Sequence, residues 1–234
     1  MESKLKTIYK ATWEKLQGRW TKAVLACVAF TFVAFIIVFL IISACIGGKE
    51  GAGVQEMQKT IGVDDMRLYD MVQGDIIFGY IISAILILPF IYGLARFFLN
   101  YYDEEKATIS MILSPMFSVR IWSAMILRYG TIFLYSLLLI VPGVMKSYSY
   151  ALADYLLAED QSYSGLEAMK ESERLMKGHR WELFKLDLLL MPCFILSHFT
   201  FGILNLWIVP FVHTMHICFY RNVLMGMDEE EIGA

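Results

Sequence analysis

From Leu188 to Tyr220 the chain has no aspartate, glutamate, lysine or arginine, and Ala23 to Gly48 and Ile76 to Ala95 are equally free of charge. The last two runs each reach or exceed the ~20 residues that carry a helix across a ~30 Å hydrocarbon layer. They are continuous rather than alternating, which excludes a transmembrane β-barrel. Cysteine is scarce as well. Cys27, Cys45, Cys193 and Cys218 stand in or at the ends of apolar runs, with no CxxC pair and no closely spaced histidine, so they read as small hydrophobes. The box Ile42-Ser43-Ala44-Cys45 resembles a lipoprotein cleavage site, but the basic region and the apolar run before it are longer than those of a signal peptide. The chain has no P-loop, nucleophile elbow, dinucleotide fingerprint or HExxH. No catalytic residue, metal site or cofactor is therefore expected.

Hydrophobic residues make up 58% of the sequence and mean hydropathy is +0.56, against roughly 45–50% apolar residues in a soluble domain. The excess calls for lipid as solvent. The expected fold is all-α, a polytopic transmembrane bundle forming one integral membrane domain over residues 1–234. Its six spans fall at about 22–46, 76–100, 121–141, 144–158, 181–201 and 207–224. Residues 47–75 read as an outside loop, 101–120 and 159–180 as cytoplasmic segments, and 227–234 as an acidic tail. The net charge of -3 says little by itself. Its distribution says more, because Lys4, Lys6, Lys10, Lys15, Arg19 and Lys22 precede the first span, while the outside segments hold only Lys49, Lys59, Arg67 and Lys146. Both termini are expected in the cytoplasm.

Amphipathic surface helices are expected before spans 1, 3 and 5. In residues 2–17, Leu5, Ile8, Tyr9, Thr12, Trp13 and Leu16 recur at helical spacing, a stripe suited to the inner leaflet and to lipid rather than nucleic acid. Ser164 and Glu167 have the spacing of a capping box, and Gly178 offers a stop before His179, Arg180 and Trp181. Arg19 with Trp20, Arg120 with Trp122 and Arg180 with Trp181 read as anchors at the headgroup level. LQGRW at Leu16 to Trp20 and MKGHRW at Met176 to Trp181 share one grammar, which Arg120-Ile121-Trp122 repeats without the glycine. Three successive units in parallel orientation are one reading, and the ordinary tendency of inward helix ends to acquire such anchors is the other.

Arg128, Asp154 and Asp187 stand at one depth, each roughly 9–10 Å from the cytoplasmic end of its span at ~1.5 Å per residue. An isolated charge there is costly, so Arg128 is expected to pair with Asp154 or Asp187. Such charges are either packing or snorkelling groups or the lining of a polar cavity. His213 and His216, three residues apart, share a face and suit interhelical hydrogen bonding, a proton relay or metal ligation. The five residues are the candidate binding site. Pro142-Gly143 is expected to stop span 3, and span 4 is short enough to be re-entrant.

VPGVMKSYSYALADYLLAED, SGLEAMKESERLMKGHRWELFKLDL and FGILNLWIVPF followed by FYR resemble an uncharacterised family of mainly Gram-positive bacterial integral membrane proteins, domain of unknown function 975. The resemblance covers about Val141 to Arg221 and implies a six-pass helical protein of no established activity. Asp154, Gln161 and Pro192 depart from the pattern. A more distant likeness, in helix grammar, is to the membrane domain attached to some glycerophosphodiester phosphodiesterases. The functional expectation is a non-enzymatic, multi-pass protein of a bacterial cytoplasmic membrane. Its partners would be membrane lipids, with a small amphiphile or peptide as the molecule bound or moved, or a transporter or a second copy as its neighbour. A scaffold docking partners through its surface helices and an intramembrane metal-dependent hydrolase are the alternatives.

Overall fold

Every regular element is helical among the residues that the computed structural model describes, 2–47, 65–103, 107–200 and 202–225. The order is α1 Glu2–Leu16, α2 Trp20–Gly47, α3 Asp65–Tyr102, a short α4 Ser110–Leu113 continued by a 3₁₀ turn Ser114–Phe117, α5 Val119–Leu138, α6 Ile140–Ser149, α7 Ala153–Glu159, α8 Gly165–Leu175, α9 Arg180–Phe199 and α10 Asn205–Met225. Among the described residues three stretches are long and apolar enough to cross a membrane: Trp20–Cys45, Ile76–Tyr102 and Val119–Leu138. The expected spans 181–201 and 207–224 fall on α9 and α10. The acidic tail, most of the 47–75 loop and residue 201 lie outside the described residues.

The chain divides into two compact units, Phe30–Leu88 and, separately, Met1–Ala29 with Pro89–Ala234. Within the smaller unit the Ser83 hydroxyl donates to the Gly79 carbonyl at 2.6 Å and Phe35 stacks on Phe39. The larger unit holds all five candidate site residues.

Three local expectations change. Helix α5 ends at Leu138 and the chain turns at Leu139, whose extended backbone (φ -161°, ψ 143°) lets α6 begin at Ile140. Pro142 therefore starts a helix instead of stopping one, since a proline in the first turn gives up no helical hydrogen bond. Gly143 lies directly against Ser136, so α5 and α6 close as a tight hairpin. The segment 144–158 is not one helix. It belongs to α6 and α7, broken by a turn at Tyr150 to Leu152, and the Ser172 hydroxyl takes up the freed groups, accepting from the Leu152 N–H at 3.2 Å and donating to the Ser149 carbonyl at 2.8 Å. Lys146, expected in an outside segment, is ion-paired to Glu173 of α8 at 2.7 Å.

The amphipathic helices use their apolar faces on the protein itself. Helix α1 packs along α10, burying Ile8, Thr12 and Leu16, with Tyr9 against Phe211 at 5.4 Å. Helix α8 packs on α5 and α7, burying Ala168, Met169 and Ser172. Its start is the capping box: the Glu167 N–H donates to Ser164 Oγ at 3.3 Å and the Ser164 N–H donates to Glu167 Oε2 at 2.8 Å. Ile8, Thr12 and Leu16 of the α1 stripe are buried, while Leu5 and Tyr9 are half-buried and Trp13 is exposed.

The shared grammar has a structural counterpart. Gly18 and Gly178 both have positive φ, 78° and 90°, and each helix after them begins two residues on. Leu16 and Met176 are fully buried, as are Thr12 and Ser172 four residues before them. Six residues beyond the tryptophans Trp20, Trp122 and Trp181 stand Ala26, Arg128 and Asp187. Arg221 of α10 is ion-paired both to Glu159 of α7, at 2.5 Å, and to Asp103 just past α3.

Candidate functional site

A cavity of about 250 Å³ opens between α3, α5, α6, α7, α9 and α10, and its lining includes Arg128, Asp154, Asp187, His213 and His216. Eight residues before the clamp made by Asp103, Glu159 and Arg221 come Ala95, Ala151 and His213, which line the same cavity. Matching positions of α3, of the turn before α7 and of α10 thus line one space.

Arg128 of α5 pairs with Asp154 at the start of α7. Both side chains are about nine-tenths buried, at 11% and 10% exposure. Within the pair Arg128 Nη1 meets Asp154 Oδ2, while Arg128 Nε and Asp154 Oδ1 have no hydrogen-bond partner among the described residues. Arg128 also lies over the Tyr129 ring at 5.3 Å. A buried ion pair that leaves a donor and an acceptor unused has capacity for another polar group.

Asp187 takes a different partner. His216 Nε2 stands 2.7 Å from its Oδ1, and the Tyr148 hydroxyl donates to its Oδ2 at 3.1 Å. The histidine thus makes an interhelical hydrogen bond between α10 and α9. His213 turns the other way and stacks flat on Phe98, with centroids 5.0 Å apart and an interplanar angle of 2°. Among the described residues no three of His, Cys, Asp and Glu are grouped to hold a metal ion.

The anchors have protein partners of their own. Arg120 Nη1 donates to the carbonyls of Gln161 (2.8 Å) and Tyr163 (2.9 Å), fixing the α7–α8 connection. Trp122 Nε1 donates to the Met116 carbonyl at 2.8 Å, and the Arg19 carbonyl accepts from the Tyr101 hydroxyl at 2.8 Å. Trp20 meets Trp13 edge-on at 5.8 Å. Arg180 Nη2 is 3.6 Å from Glu173, and Trp181 stacks on Phe184 at 4.9 Å.

Tyr129, Ser147, Tyr148 and Tyr155 also line the cavity and were not singled out from the sequence. In one continuous helix Tyr148 and Asp154 would point about 120° apart. The break at Tyr150 to Leu152 turns both to one space, and no local signal marks that break.

No curated protein and no solved structure matches the chain. A family model described as "Protein of unknown function (DUF975)" matches residues 57–226, which is more than half of the sequence and includes all five candidate site residues. The chain belongs to this DUF975 family.

Proposed function

We propose that this is a non-enzymatic, six-pass protein of a bacterial cytoplasmic membrane, with both termini in the cytoplasm, that binds or moves an amphiphilic molecule by its polar end. Three spans are α2, α3 and α5, and the remaining crossings are α6 with α7, then α9, then α10. The basic residues ahead of α2 support a cytoplasmic N-terminus.

One observation carries the reading. Arg128, Asp154, Asp187, His213 and His216 come from four helices and line one cavity, where the two most buried of them keep unused hydrogen-bonding atoms. Ionisable groups in a membrane domain are costly and mark binding or ion pathways. A cavity of about 250 Å³ is small for a drug-sized ligand, whose sites run to ~300–1,000 Å³, and suits a headgroup.

The test is purification in mild detergent and mass spectrometry of what co-purifies, comparing wild type with Asp154→Asn and Asp187→Asn. A defined amphiphile depleted in either variant is the expected result. Identical bulk lipid in all three preparations, with only stability changed, would make the charges structural and sink the reading.

A further inference from the structure

The polar cavity shares a wall with an apolar one. A second cavity of about 460 Å³ is lined by Val141, Val144, Met145, Trp181 and Phe184, with Arg180 at its edge. Tyr148 lines both cavities. Its hydroxyl donates to Asp187 on the polar side, and its ring meets Phe184 edge-on at 5.7 Å on the apolar side. Val141, Met145 and Trp181 are exposed, so the apolar cavity opens onto the protein surface.

The charges of the polar cavity do not balance. Its lining holds one arginine and two aspartates. Arg128 and Asp154 offset each other's charge, which leaves Asp187 with a phenol and an imidazole as partners. Lys146 of α6 is held by Glu173, Arg221 of α10 by Glu159 and Asp103, and Arg180 of α9 stands 3.6 Å from Glu173, while Arg96 follows the lining residue Ala95 on α3. Lys185, on the same helix as Asp187, lies over the Trp181 ring. From α1 the Tyr9 phenol lies within electrostatic reach of Asp187, and within the lining Tyr129, Tyr148 and Tyr155 add three more phenols and His213 a second imidazole. The Asp187 side chain is 28% exposed, and of its two contacts His216 is the group that can gain a positive charge by taking a proton. Aromatic rings around such a carboxylate favour a cation again, because their faces attract ammonium groups.

Resting on the amphiphile reading above, we propose that the ligand is a single-chain cationic amphiphile. Its ammonium group replaces the proton of His216 as the counter-ion of Asp187, and its tail passes Tyr148 into the apolar cavity. The exchange balances. One cation enters, the His216 imidazolium loses one proton to water, and no bond other than that N–H is broken. Binding is then coupled to proton release, and a pH gradient can drive the ligand out.

The test uses the full-length protein in lipid nanodiscs in a weak buffer near pH 6. Decyltrimethylammonium, decyl sulfate and decyl glucoside are titrated below their micelle concentrations, with heat and an indicator dye read together. The cationic probe should bind at least about tenfold more tightly than the other two and release about one proton per molecule bound. His216→Gln should keep binding and lose the release. Asp187→Asn should bind about tenfold more weakly or worse. If the sulfate binds as tightly as the ammonium, or the ammonium binds without proton release, the inference is overturned while the amphiphile reading stands. If no probe binds to a protein whose melting is unchanged, both fall.

Discussion

Gly18 and Gly178 carry the same left-handed backbone, φ 78° and 90°, each two residues after a fully buried side chain, Leu16 and Met176. The N–H of the next residue closes both turns, from Arg19 to the Leu16 carbonyl at 3.0 Å and from His179 to the Met176 carbonyl at 3.2 Å. No side chain crowds either glycine, so the requirement is one of backbone alone. Gly18→Ala and Gly178→Ala should each destabilise the fold by about 1 kcal/mol. Unfolding in mixed micelles measures it, and a variant as stable as wild type would show that the turn relaxes.

Removing one half of the Arg128–Asp154 pair strands a buried charge. Arg128→Met or Asp154→Leu alone should cost about 3–5 kcal/mol, while the double variant should recover most of the loss, since an apolar pair of similar volume replaces the ion pair at little cost. The same unfolding assay closes the cycle. Additive losses would mean that the two side chains do not depend on each other.

Arg221 of α10 joins the ends of α3 and α7 through Asp103 and Glu159. Arg221→Gln should lower stability by about 2 kcal/mol, because its guanidinium is mostly buried and makes two charge-assisted contacts. Glu159→Gln, which leaves Asp103 as the remaining partner, should cost less. An equal loss in both variants would place the whole effect in the Glu159 contact, which also includes the Tyr220 hydroxyl.

The start of α8 should respond to acid. Hydrogen bonding from the Ser164 backbone N–H, and then from its side chain, holds the Glu167 carboxyl below its ordinary range. A carboxyl lowered in the folded state stabilises fully above its unfolded pKa of about 4.3, and the contribution fades as pH falls through the lower folded value. Hydrogen exchange corrected for intrinsic rates should show the first turn of α8 opening more below about pH 4. In Glu167→Gln, which keeps a capping acceptor and cannot titrate, the pH dependence should vanish. Persistence of the trend in that variant would assign it to another group.

Much of this was local and therefore readable. Uncharged runs longer than a bilayer is thick have no stable state but helix in lipid, and α2, α3 and α5 have the length and composition to cross. The capping box at Ser164 and Glu167 and the glycine stops at Gly18 and Gly178 involve residues a few positions apart, so spacing alone determined them. The depth of Arg128, Asp154 and Asp187 also followed from counting residues along helices. Which charges meet did not. Asp187 faces His216, and Arg128 faces Asp154 across the turn at Leu139 and the break at Tyr150 to Leu152. That break depends on a hydroxyl of Ser172 twenty residues further along. The docking of α1 on α10 and the entry of Tyr148 into the cavity wall are likewise decided between segments far apart in sequence. An amphipathic stripe states that a face will be covered, and only the packed bundle decides whether lipid or protein covers it.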